Sequence, residues 1–88
     1  MSARRCVKHG LLSYDEQLER FCLETREEWA SVYCGEMIGI RVGAAYVWGR
    51  MEREPGGRWF VVFPAEHRKR ATAFTLRTDR RYDAKVYW

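Results

Sequence analysis

The chain reads as an α+β domain, with one N-terminal helix packed on an antiparallel β-meander of about four strands. Three observations predict it. Residues 13–34 space their apolar side chains by three and four behind a helix-start signal. From residue 36 onward, aromatic and β-branched residues dominate and alternate with polar ones. Pro55-Gly56-Gly57 then divides two such runs, as a hairpin turn does.

Residues 1–12 (MSARRCVKHGLL) form a basic arm or lead-in segment, and the first ten show no periodicity. The helix follows over 13–35. Ser13 and Glu16 make an S-x-x-E capping box, and Asp15 adds negative charge where the helix dipole is positive. Leu18, Phe21, Cys22, Thr25, Trp29, Val32 and Tyr33 make one apolar stripe, and Gly35 ends the helix. Its outer face carries Asp15, Glu16, Glu19, Glu24, Glu27 and Glu28 against Arg20 and Arg26.

Residues 36–88 are the sheet. Met37–Arg53 is extended, and Gly39, Gly43 and Gly49 mark bends or close approach of another backbone. A turn with Pro55 at its first corner and positive φ at Gly56 sets Arg53 opposite Arg58. Glu52 then pairs with Trp59, Arg50 with Val61 and Trp48 with Phe63. One face of the hairpin carries Tyr46, Trp48, Arg50, Trp59, Val61 and Phe63; the other carries Val47, Gly49, Met51, Phe60 and Val62. Ala65–Arg70 connects to a strand at Ala71–Thr78, Asp79–Asp83 is a polar loop, and Ala84–Trp88 is the last strand, with Thr78 opposite Ala84.

Eighty-eight residues make a single domain (1–88), with 47% hydrophobic and 32% charged residues, a globular rather than a disordered balance. No apolar run approaches the ~20 residues of a membrane span, and the first residues lack the apolar core of a signal peptide. A cytoplasmic protein is the expectation. Cys6, Cys22 and Cys34 are odd in number and read as reduced thiols. On the helix, Cys22 and Cys34 stand about 18 Å apart at ~1.5 Å per residue, too far to share a metal with Cys6 and His9. No metal and no cofactor is expected.

The net charge of +4 is unevenly divided. Residues 1–43 carry six Arg or Lys against seven Asp or Glu, whereas residues 44–88 carry ten against five. Thirteen of the sixteen cations are Arg, the residue suited to phosphate, carboxylate and protein-interface contacts.

A lone helix covers only one face of so apolar a hairpin, so the other face is a candidate binding surface. That surface holds Tyr46, Trp48, Arg50 and Trp59, joined by Arg77, Lys85 and Tyr87 if the sheet keeps parity. Arg53, Arg58, Arg80 and Arg81 gather at the turn end. His67, Arg68, Lys69 and Arg70 form a secondary basic cluster at the opposite end. Exposed aromatics with Arg and Lys suit either stacking on unpaired bases or anchoring a protein interface.

Catalytic motifs are missing from the sequence: neither His9 nor His67 sits in one, and G-x-S-x-G and H-E-x-x-H do not occur. The expected function is therefore non-enzymatic binding to a nucleic-acid-processing protein or nucleoprotein complex. An inhibitor from a phage or mobile element, of anti-CRISPR type, fits that description by size and chemistry alone. The alternatives are a single-stranded DNA- or RNA-binding domain, and a small metal-independent ribonuclease toxin using His67 with its basic neighbours. A homodimer through the aromatic face is a further way to cover it.

Overall fold

The computed structural model describes residues 6–64 and 72–88. They form eight strands: β1 (Val7–Asp15), β2 (Arg20–Glu24), β3 (Trp29–Ser31), β4 (Met37–Val42), β5 (Ala45–Arg53), β6 (Trp59–Phe63), β7 (Thr72–Thr75) and β8 (Tyr82–Tyr87). All pair antiparallel in one sheet of order β3-β2-β1-β8-β4-β5-β6-β7. Among the described residues there is no helix, so the α+β expectation is corrected to an all-β domain, and the meander of about four strands to an eight-stranded sheet.

Residues 13–34, expected as a helix, instead finish β1 and build β2 and β3. The apolar stripe there consists largely of Phe, Cys, Thr, Trp, Val and Tyr, which lose side-chain freedom in a helix and suit a pleated surface. A period of two underlies it. Leu12 and Tyr14 on β1 face Leu23 and Phe21 on β2, and they turn inward together. Asp15 does cap a turn, but a hairpin turn: its Oδ1 accepts the Leu18 N–H at 2.9 Å, and Glu19 takes a left-handed φ of 54°. A second turn is pinned by Thr25, whose Oγ1 accepts the Glu28 N–H at 3.0 Å. The acidic residues expected on one helical face are thereby split between the two turns that bound β2.

The β5–β6 hairpin exists, one residue out of the expected register. Glu54 O accepts the Gly57 N–H at 2.8 Å, and Gly57, not Gly56, has positive φ (94°). Glu54 N–H in turn reaches Arg58 O at 2.9 Å, so the loop is a β-turn followed by a left-handed bulge residue. The extra residue pairs Arg53 with Trp59, Glu52 with Phe60 and Arg50 with Val62. Since sides alternate, this slip turns every β6 side chain to the opposite face. Trp59 and Val61 join Met51 inside, and Phe60 and Val62 go outside with Arg50 and Glu52.

The last strand is also displaced. β8 starts at Tyr82, within the expected 79–83 loop, and it pairs with β1 and β4 rather than with β7. It is the strand that joins the first three to the next four.

Inner-face residues from six strands (Leu12, Phe21, Leu23, Ile38, Ile40, Met51, Trp59, Val61, Ala84, Val86) form one core with Val32 and Leu76. The sheet curls over it. Phe21 of β2 meets Trp59 of β6 edge to face at 6.1 Å, and Phe74 of β7 meets Tyr82 of β8 at 5.9 Å. Curling lets a single sheet supply both walls of its core, which is why no helix is needed to cover it.

Candidate functional site

The outer face of the four central strands β1, β8, β4 and β5 is the candidate site. Register arranges it in rows across the sheet. Val7 lies opposite Tyr87, and Met37 opposite Arg50, at one level. His9, Lys85, Gly39 and Trp48 form the next row, and Leu11, Asp83, Arg41 and Tyr46 the third.

In the middle row, Gly39 makes room for an indole. A Cβ built there would stand 2.9 Å from the Trp48 ring, so the ring lies across β4. Trp48 stacks on Tyr87 with centroids 4.7 Å apart and planes inclined by 30°. Trp48 is half-buried by these contacts, while Tyr87 remains 45% exposed and Met37 44%. Lys85 Nζ sits 4.1 Å from the centre of the Tyr46 ring, within cation–π range.

The third row is a polar network around Asp83. Its Oδ1 accepts hydrogen bonds from the Tyr46 hydroxyl at 2.7 Å and from His9 Nε2 at 2.6 Å, and its Oδ2 accepts Arg41 Nη1 at 3.1 Å. Arg41 is braced further by Nε donating to Gly43 O at 3.0 Å. The Tyr46 hydrogen bond, followed by those of His9 and Arg41, holds the Asp83 carboxyl down at about 2 despite partial desolvation. The same hydrogen bond to Asp83 pushes the Tyr46 phenol up. Four strands of the fold converge here, with Tyr46 reaching Asp83 from β5. β8 lies between β1 and β4, so Asp83 has His9 on one side and Arg41 on the other.

Of the sequence-predicted surface, Tyr46, Trp48, Arg50, Lys85 and Tyr87 do share this face. Trp59 does not: it is buried at 5% exposure in the core, for the register reason given above. Arg53 shares its inward parity and stacks on the Trp59 ring at 5.8 Å. Arg58 pairs with Glu54 across the turn, and Arg77 is clamped on Asp79 by bonds of 2.8 and 3.0 Å, which hold the Asp79 carboxyl low. Arg80 and Arg81 are exposed in the segment after β7, which leaves β7 at the end of the sheet where β6 begins. His67, Arg68, Lys69 and Arg70 lie outside the described residues.

His9, Asp83, Arg41, Met37 and Val7 belong to the face and were missed. The sequence alone places His9 and Val7 in an arm and Asp83 in a loop. Parity with Lys85 and Tyr87 was the one signal that pointed to Asp83.

Cys22 is buried beside Ser31, and desolvation pushes its thiol up; Cys6 and Cys34 are exposed. The helix-based distance between Cys22 and Cys34 no longer applies. Among the described residues no three His, Cys, Asp or Glu side chains are grouped as metal ligands, and no helix is long and apolar enough to cross a membrane.

These features define a small all-β domain with an aromatic and cationic outer sheet face. Residues 10–78 match the family model of a domain of unknown function, DUF5348, and the chain belongs to that family. The matched span stops short of β8, the strand that carries Asp83, Lys85 and Tyr87. No curated protein and no solved structure matches the chain.

Proposed function

We propose that this protein is a cytoplasmic, non-enzymatic binding module that docks the outer face of β1, β8, β4 and β5 on a protein partner, one belonging to nucleic-acid-processing or nucleoprotein machinery. The observation that carries the reading is the composition of that face. Tyr46, Trp48, Tyr87, Met37, Arg41 and Arg50 are the residue types enriched at protein interfaces, gathered on adjacent rigid strands. The aromatic faces are partly engaged already, Tyr46 by Lys85 and Trp48 by Tyr87, which favours a shaped apolar contact over base stacking. The nucleic-acid connection of the partner is argued from the chain's Arg-rich charge of +4 alone.

Affinity capture from the source organism, with nuclease present, tests this with wild type beside Tyr87→Ala and Met37→Glu. A protein held by wild type and lost from both variants, at unchanged denaturation midpoints, supports the reading. Equal capture by all three removes this face from consideration.

Direct binding of single-stranded nucleic acid is the second reading, and Lys85 favours it: the ammonium rests on an aromatic ring and has no carboxylate within ion-pair distance among the described residues. It requires an affinity that falls log-linearly with salt, by roughly one unit of slope per phosphate contacted. No binding of any DNA or RNA at low salt ends it.

A further inference from the structure

We infer that the cavity beside Glu36 is a binding site for one organic cation, the guanidinium or ammonium group of a basic side chain. The inference rests on the docking reading only for the source of that side chain, a protein partner. Glu36 precedes β4 by one residue. Its carbonyl accepts the Met51 N–H at 2.8 Å, and Met37 faces Arg50, so Glu36 lies level with Met51 and shares the inward parity of Ile38. The carboxylate is thus directed to the apolar layer at the end of the sheet. Its Oε2 is buried and has no hydrogen-bond partner among the described residues. The cation on the neighbouring strand, Arg50, belongs to the opposite face and is held by Glu52 at 2.8 Å.

A cavity of about 410 Å³ lies alongside, lined by Gly35, Glu36, Met37, Tyr87 and Trp88, so a turn of the Glu36 side chain brings the buried Oε2 to a cation held there. A carboxylate oxygen buried without a donor is costly, and a cation with N–H donors removes that cost. The aromatic side chains of Tyr87 and Trp88 add attraction for a positive charge and none for an anion. A hard metal ion asks for several oxygen ligands, whereas Glu36 is the one carboxylate side chain in this lining. The cavity also borders Met37 and Tyr87 of the outer face, so one partner can cover the face and insert a basic side chain beside Glu36.

Methylguanidinium titrated into the full-length protein tests this, read by the Trp88 indole N–H and the Met37 methyl resonance, with N-methylurea as the uncharged isostere. Saturable shifts with methylguanidinium, none with N-methylurea, and an affinity about tenfold or more weaker in Glu36→Gln are expected. Glu24→Gln, which alters a carboxylate on β2, leaves the affinity unchanged. Shifts of equal size with N-methylurea, unaltered affinity in Glu36→Gln, or no shift in wild type would each overturn the proposal. The isostere comparison is made in wild type, so it stands even if the variant is destabilised. Saturable binding of methylguanidinium without any captured protein supports the site and counts against the docking reading alone.

Discussion

Trp59 and Trp48 stand on neighbouring strands of one hairpin, and their surroundings differ in kind. Trp59 lies between Phe21 and Arg53 in a core where Leu12, Phe21, Leu23, Ile38, Met51 and Val61 have no exposure at all. Trp48 lies across Gly39 and stacks on Tyr87, on a face that also carries Lys85, Arg41 and a charged network. The inner region is closed by packing alone. The outer one combines apolar area with polar groups whose hydrogen bonds are already made, so it tolerates water. Similar residues therefore close the core on one side and meet solvent on the other, and for Trp59 a one-residue register decides which.

The largest contrast is expected from truncating the two indoles. Trp59→Ala should cost about 3–5 kcal/mol, as core aromatic truncations do, while Trp48→Ala costs about 1–2 kcal/mol because only part of its area is buried. Urea denaturation of both variants checks this. Similar losses would mean that the two faces are equally well packed.

Glycine replacements give the next contrast. A Cβ at Gly49 would meet Val62 O at 2.6 Å and Val61 Cγ1 at 2.7 Å, with the carbonyl fixed in the sheet. Gly49→Ala is expected to cost about 2–3 kcal/mol by overpacking. At Gly39 the obstacle is the half-exposed Trp48 ring, which can swing aside, so Gly39→Ala costs about 1 kcal/mol or less. Loss of the Trp48–Tyr87 stack in that variant is visible by near-UV circular dichroism.

Acid titration separates the regions by charge. The Asp83 carboxyl is more acidic folded than unfolded, so its network stabilises the fold above the ordinary carboxyl value of 3.8. That contribution is lost as the pH falls through about 2. Wild type should exceed Asp83→Asn in stability at neutral pH, and the gap should narrow between about pH 4 and pH 2. A gap that stays constant over this window would show that Asp83 is not the titrating group.

The smallest expected effect is optical. In single-tryptophan variants, Trp59 should emit to the blue and resist acrylamide, Trp48 should be intermediate, and Trp29, 51% exposed, should be quenched most. An exposed Trp59 would reverse the register.

The β5–β6 hairpin is readable because aromatic and β-branched residues and Pro-Gly-Gly agree there, whereas the one extended stretch expected over 37–53 folds back on itself as β4 and β5 about a turn at Gly43 and Ala44. Tyr46, Trp48 and Arg50 share a face because alternation carries parity along β5, while Lys85 and Tyr87 join them through the register of β8 on β4 and not through the expected pairing with β7. Trp59 is misplaced in the sequence reading because either Gly56 or Gly57 can take the left-handed corner sterically, and the two choices differ by one residue of register. Residues 13–34 were misread because Phe21, Cys22, Trp29 and Val32 satisfy a helical spacing as well as a strand one. His9 and Asp83 could not be linked at all: they are seventy-four residues apart and meet only when β8 enters between β1 and β4.

Local chemistry alone settles which side chains share a face within a strand and that residues 45–53 and 59–63 are extended about a turn, because alternation is a property of a few consecutive residues. Strand order, the register at the β5–β6 turn and the insertion of β8 belong to the tertiary structure. They are chosen by how completely distant apolar side chains can be buried together, and no short window of sequence contains that sum.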